Sequence, residues 1–157
     1  MDYIIRQLNK DEFYMLNDFL YEAIYIPEGI KPLPKSVIDL PELQKYICNF
    51  GSSKHDNVLA AEVNGNIVGA VWSRIIDDYG HIDDDTPSLA MSLYKEYRGN
   101  GIGTAMLQAF VPLLKSKGYK RVSLSVQKAN YAVRLYKKSG FKIFAENAEE
   151  YIMVKDL

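Results

Sequence analysis

The chemistry-bearing stretch of this chain is Arg98-Gly99-Asn100-Gly101-Ile102-Gly103-Thr104, a cluster of glycines between an apolar alternating segment and a helical pattern. Such a turn suits a phosphate. Glycine lets the main chain approach a ligand closely, and the unpaired amides and positive dipole end of the following helix face the anion. The same turn also serves as a plain structural connection. A dinucleotide motif G-x-G-x-x-G is absent, because the sixth position is Thr104 counted from Gly99 and Met106 counted from Gly101. The nucleotide loop G-x-x-x-x-G-K-[ST] is absent too, since no lysine follows within the turn.

A second segment lies downstream: Asn130-Tyr131-Ala132-Val133-Arg134-Leu135-Tyr136-Lys137-Lys138-Ser139-Gly140-Phe141. This segment reads N-x-A-x-x-L-Y-x-x-x-G-F, one residue shorter between Asn130 and Ala132 than the family's N-x-x-A-x-x-L-Y-x-x-x-G-F, and with R-x-x-G-x-G at Arg98 to Gly103 it resembles two motifs of the GNAT (GCN5-related) N-acetyltransferases, in the same order. The resemblance covers most of the chain and is weakest over residues 20 to 55. It implies an α/β fold of the acyl-CoA N-acyltransferase type: a mixed, mostly antiparallel sheet flanked by helices on both faces. It further implies that acetyl-CoA is the acetyl donor and a primary amine the acceptor. Arg98, Gly99, Asn100, Gly101, Ile102, Gly103 and Thr104 would cradle the CoA pyrophosphate, chiefly with backbone amides. Met91, Ser92 and Leu93 would lie along the pantetheine arm, with Met91 and Leu93 pairing to it through their main chain at a bulge where neighbouring strands splay. Asn130 would bond the arm from the other side, and Tyr136 would protonate the departing thiolate as general acid.

The proton acceptor is where this chain departs from the family pattern. Many relatives carry a glutamate on the strand before the glycine turn, whereas here that strand reads Pro87-Ser88-Leu89-Ala90-Met91-Ser92-Leu93 without an acid. Asp85 is the candidate base, acting through water, because strand alternation sets it on the face of Pro87 and Leu89. Asp84, His81 and Glu62 are further proton acceptors. The missing base also leaves open a non-catalytic acyl-CoA-binding domain. Tyr21, Tyr25, Pro27, Pro32, Pro34 and Trp72 are expected near the acceptor, which the residues leave open among a small amine, an amino sugar, a peptide N-terminus and a lysine side chain.

These residues need elements to hold them. Tyr3 to Leu8 reads as a strand, and Asn9 with Glu12 begins a helix through Leu16, Leu20 and Ile24. Asp39-Leu40-Pro41-Glu42 begins a second, short helix, stopped at Gly51. Val58 to Val63, Asn64-Gly65, and Ile67 to Ile76 form a hairpin, because Asn-Gly accepts the positive φ angles of a type I′ turn. Pro87 to Leu93 is a strand, Ile102 to Lys117 a helix with Pro112 inside it, and Arg121 to Val126 a strand. Asn130 to Lys138 is a helix, and Phe141 to Glu146 with Tyr151 to Lys155 are the last strands. The order β-α-α-β-β-β-α-β-α-β-β implies one mixed sheet covered on both faces.

The chain has 157 residues, 48% of them hydrophobic, enough for one sizeable core and hence one domain. Net charge is −1, which gives no general attraction to nucleic acid or to an anionic membrane. Residues 1 to 97 hold 8 basic and 16 acidic side chains, and residues 98 to 157 hold 11 and 4, giving −8 and +7. That split fits a polyanion on the C-terminal half, and equally a chance segregation of solvated charge. No secretory leader or membrane span is legible, so the expected location is the cytoplasm. Cys48 is the only cysteine, so no intramolecular disulfide forms, and it is expected in the core. No metal site is expected. Homodimerisation is common in the resembled family and compatible with this sequence.

Overall fold

The structure is a computed structural model describing residues 1–157. Seven strands form one sheet: β1 (Ile4–Arg6), β2 (Asn57–Val63), β3 (Asn66–Arg74), β4 (Ser88–Leu93), β5 (Arg121–Gln127), β6 (Lys142–Glu146) and β7 (Glu150–Asp156). Their order is β1-β2-β3-β4-β5-β7-β6, and every neighbouring pair is antiparallel except β4 and β5. The helices are α1 (Leu16–Ala23), α2 (Pro41–Gln44), α3 (Ile102–Ser116) and α4 (Ala132–Lys138), with 3-10 turns at Lys10–Met15, Lys35–Asp39 and Lys95–Tyr97. The mixed sheet with helices on both faces is the architecture expected from the element order.

Alternation along the strands sorts side chains between two layers. Ile102, Met106, Phe110 and Leu114 recur every fourth residue on α3 and bury against Val71, Leu89, Val122, Leu124 and Met153. On the other face Leu16, Phe19 and Leu20 of α1 bury against Val58, Ala60, Ala70 and Trp72. Pro112 does not interrupt α3, which continues to Ser116. Pro112 and Gln108, whose carbonyl the proline leaves without a helical donor, are both exposed, so water can take that place.

Local signals set the element ends. Asn64 and Gly65 adopt φ of 51° and 81°, the left-handed pair that a type I′ turn requires. Glu12 accepts the Asn9 N–H at 2.9 Å, and Arg6, which also pairs with Glu62, holds the Glu12 carboxyl down at about 2. The second helix departs from expectation: α2 is a single turn, Leu40 rather than Asp39 is its cap residue, and turns continue to Gly51. What fixes this segment is Arg74. Its guanidinium pairs with buried Asp56 at 2.9 Å and donates to the carbonyls of Lys45 and Cys48 at 3.1 and 2.7 Å. Cys48 is therefore held by its main chain and its side chain is exposed, not in the core.

Removing the Arg74 guanidinium leaves the Asp56 carboxylate buried and the two carbonyls without their donor. Arg74→Ala is expected to cost about 3–5 kcal/mol of folding stability, measurable as a lowered urea midpoint. A loss below 1 kcal/mol would show that the ion pair does not anchor residues 41–51.

Candidate active site

The sheet opens in its middle. β4 and β5 share one register pair, Ser88 with Ser123, and then separate. Tyr94 N–H reaches back to Val68 O of β3, and Ser123 N–H reaches Pro87 O. The alternation of an antiparallel ladder then aims the main-chain groups of Ala90 and Ser92 at β3, and those of Leu89, Met91 and Leu93 at β5. Beyond Ser88 there is no β5 partner for them, so Met91 and Leu93 present peptide groups to the gap. The bulge expected here lies elsewhere: β4 stays in register with β3 throughout, and the extra residues are Val68 of β3, opposite Ala61 and Glu62 of β2, and Phe144 of β6, opposite β7. The gap comes from strand divergence alone.

The glycine turn closes the end of this gap. Gly99 and Gly101 have φ of 80° and 81°, and a Cβ on either would meet nothing within 4 Å, so the turn is open toward solvent. Gly101 caps α3, the first helical hydrogen bond runs from Ala105 N–H to Gly101 O, and the amides of Ile102, Gly103 and Thr104 lie ahead of it. No acidic side chain sits in that first turn. Asn100 stiffens the loop by donating to the carbonyls of Tyr97 and Arg98 at 3.2 and 3.3 Å. Open amides at the positive end of a 15-residue helix fit a pyrophosphate, and exposed strand groups leading into them fit an amide-bearing arm.

Other expected residues take more specific places. The Arg98 side chain turns inward, donating to Leu93 O at 3.1 Å and Glu22 O at 3.3 Å, so it ties the end of β4 to α1 and leaves the phosphate region to its main chain. Ser92 likewise donates to Phe19 O at 2.6 Å on the α1 face, and only its backbone belongs to the strand beside the gap. Asn130 accepts the Ala132 N–H at 2.9 Å and so shapes the start of α4. Tyr136 is buried in the α3/α4 layer, edge-on to Phe141 with ring centroids 5.6 Å apart. Burial raises its pKa far above the ordinary phenol value. The phenol therefore keeps its proton at physiological pH.

Asp85 is not brought to this site. It is exposed beyond the start of β4, beside Asp83, Tyr119 and Arg121 in a recess of about 590 Å³ at the C-terminal end of α3. The length of β4, about 20 Å, separates it from the glycine turn. Asp85 lies in the turn ahead of β4, where strand alternation does not apply. Glu62 is paired with Arg6 toward the edge of the sheet at 3.1 Å, and Asp84 is solvent-exposed. Trp72 is also no acceptor wall: it is buried under α1, donating to Tyr46 O at 3.1 Å. Tyr25 does reach across, its hydroxyl 3.4 Å from Ala129 O, and Tyr21 holds the following loop through Leu33 O. No helix is long and apolar enough to cross a membrane.

Gly101→Val would place a branched side chain before the α3 amides, at a left-handed φ. The expected result is a folded protein whose affinity for acetyl-CoA, by calorimetry, falls at least 100-fold, about 2.7 kcal/mol. Unchanged affinity would remove the turn from the binding site.

Comparison with known proteins agrees with this geometry. A family model described as "Acetyltransferase (GNAT) family" matches residues 18–141. An N-alpha-acetyltransferase of Sulfurisphaera tokodaii is 33% identical over 113 residues, covering 62% of this chain and 67% of that protein. Among solved structures, the PaiA N-acetyltransferase of Thermoplasma acidophilum in complex with coenzyme A superposes with a TM-score of 0.74 at 23% identity over 100% of both chains. The ribosomal-protein-S18-alanine N-acetyltransferase of Escherichia coli gives 0.66 at 16%, over 99% of this chain and 94% of that one. With a family match over most of its length and the open sheet and glycine turn to go with it, this chain belongs to the GNAT family of N-acetyltransferases.

Proposed function

We propose that the protein transfers the acetyl group of acetyl-CoA directly to a primary amine, with both substrates bound at the β4–β5 gap. The observation that carries this reading is the continuity between the unpaired edge of β4 and the open amides of α3. An acyl-CoA supplies both complements: peptide-like amides in its arm and a pyrophosphate at the end of it.

Within that arrangement each residue has a task. The Met91 main chain binds the arm at mid-strand, and the Leu93 N–H continues toward the turn, since the Leu93 carbonyl is already taken by Arg98. Ile102, Gly103 and Thr104 donate amides to the pyrophosphate. Tyr136 lies in the α3/α4 layer and gives its proton to the sulfur as the C–S bond breaks. Its raised pKa keeps the proton in place until a thiolate forms beside it. The amine arrives from the opposite face, where Tyr21 and Tyr25 line the approach and the acidic N-terminal half favours a cationic acceptor. Because both substrates are held together, positioning and local dipoles supply the rate, and no acyl-enzyme is needed.

The reading is tested by calorimetric titration with acetyl-CoA, followed by a free-thiol assay against small diamines, an amino sugar, lysine and short peptides with free N-termini. Amine-dependent thiol release is expected. Tight binding without release on any amine would favour a non-catalytic acyl-CoA-binding domain. Tyr136→Phe is expected to lower kcat about 100-fold while leaving the acetyl-CoA Kd unchanged. An unchanged kcat would remove Tyr136 from the reaction.

A further inference from the structure

A polar cluster occupies the point where β4 and β5 part, on the face opposite Tyr136. The β3–β4 connection crosses the α1/α2 side of the sheet and seats directly on β5. At Gly80 a Cβ would stand 3.1 Å from Leu124 C and Ser125 N, a tight contact with backbone that glycine relieves, and Ser123 Oγ–H donates to Gly80 O at 2.6 Å. This contact sets Asp78 beside the start of β4. The Ser88 hydroxyl donates to Asp78 Oδ2, while Asp78 Oδ1 is buried without a partner, as is His81 Nδ1. Tyr46, from the turns after α2, brings its phenol up against both Asp78 and Ser125. Ser125 lies two residues beyond the last β4–β5 pair and therefore inside the gap.

We propose that Asp78, held by Ser88 beside Tyr46 at the apex of the β4–β5 gap, takes the proton from the attacking amine. The proposal rests on the acetyl-transfer reading above and supplies the base that reading lacks. The amine nitrogen forms its bond to the acetyl carbon as the C–S bond breaks. The proton shed by nitrogen passes through one water at Ser125 to Asp78 Oδ1, and Tyr136 gives its own proton to sulfur. Solvent then takes the proton from Asp78 and restores that of Tyr136, so the sum is amine plus acetyl-CoA giving amide plus CoA. Acid and base thus sit on opposite faces of the sheet and meet through the gap.

The surroundings suit a proton acceptor. A recess of about 240 Å³ beside this cluster is lined by Glu42, Lys45, Asp77, Asp78 and Tyr79. The groups facing Asp78 are Glu42, Lys45 and Tyr46 from α2 and its following turn, Asp77, Tyr79 and His81 from its own loop, Ser88 of β4 and Ser125 of β5. Burial outweighs His81 and the hydrogen bonds and raises the Asp78 pKa above its ordinary 3.8. A carboxyl so perturbed costs stability when ionised. The stabilising effect of its neutral form is complete below the ordinary value and is lost as pH rises through the raised one.

Asp78→Asn keeps the shape and an acceptor for Ser88 but takes no proton. With the amine found by the thiol assay, the expected result is a kcat lowered about 100-fold with the acetyl-CoA Kd unchanged. In parallel, melts of the free protein should show Asp78→Asn with a higher Tm than the parent at pH 8, the difference shrinking toward pH 4. Full activity in the variant overturns the proposal and leaves acetyl transfer standing. An equal or lower Tm at pH 8 also overturns it, by showing the carboxylate to be a structural acceptor. Absence of turnover by the parent on every amine overturns the transfer reading, and this proposal with it.

Discussion

β4 and β5 are joined by one register pair and then diverge, and a sheet that opens in its middle must satisfy its peptide groups with something other than a neighbouring strand. Much of the chain serves to hold that opening. β5 keeps its other edge fully paired with β7 from Arg121 to Gln127, so it cannot drift back toward β4. β4 is paired with β3 from Ser88 to Leu93 and tied to α1 by Ser92 and Arg98. Two well-anchored strands with an unpaired stretch between them form a preorganised slot, which lowers the ordering cost of any extended ligand that fills it.

The two layers give the slot two chemically different walls. Beneath it, α3 and α4 pack an apolar layer in which Tyr136 is buried and protonated. Above it, serines on the strands, Ser88, Ser123 and Ser125, meet a polar loop rather than a helix, and the Gly80 contact brings that loop onto the β5 backbone. Burial raises the pKa of the Tyr136 phenol and of the Asp78 carboxyl alike, so the two walls differ in the groups they carry and not in the direction of the shift. The charge split along the sequence follows the same division: the acidic half builds α1, α2 and the β3–β4 loop, and the basic half begins at the glycine turn.

Features with a short-range physical cause were legible in the sequence. The Asn64-Gly65 turn, the glycine turn and the four-residue spacing of Ile102, Met106, Phe110 and Leu114 are each set by neighbours in the chain. Long-range choices were not. Arg74 lies 18 residues from Asp56, and nothing in either neighbourhood announces that the two pair in the interior. Trp72 reads as an aromatic wall until α1 is placed over it. Alternation gives the face of a strand residue, and Asp85 lies in the turn ahead of β4, at the end far from the glycine turn. Nothing local to Asp78 marks it either, because its place beside Ser88 depends on the loop folding back to β5, more than 40 residues later in the chain.

β4 carries unpaired main-chain groups that fit the arm of acetyl-CoA. Residue-resolved amide hydrogen exchange on the protein, without and with acetyl-CoA, tests it most directly. Met91 and Leu93 amides should exchange quickly in the free protein, unlike those of Ala90 and Ser92, and slow markedly together with Ile102, Gly103 and Thr104 when acetyl-CoA is added. Slow exchange at Met91 and Leu93 before addition, or no change at these five amides on binding, would contradict it.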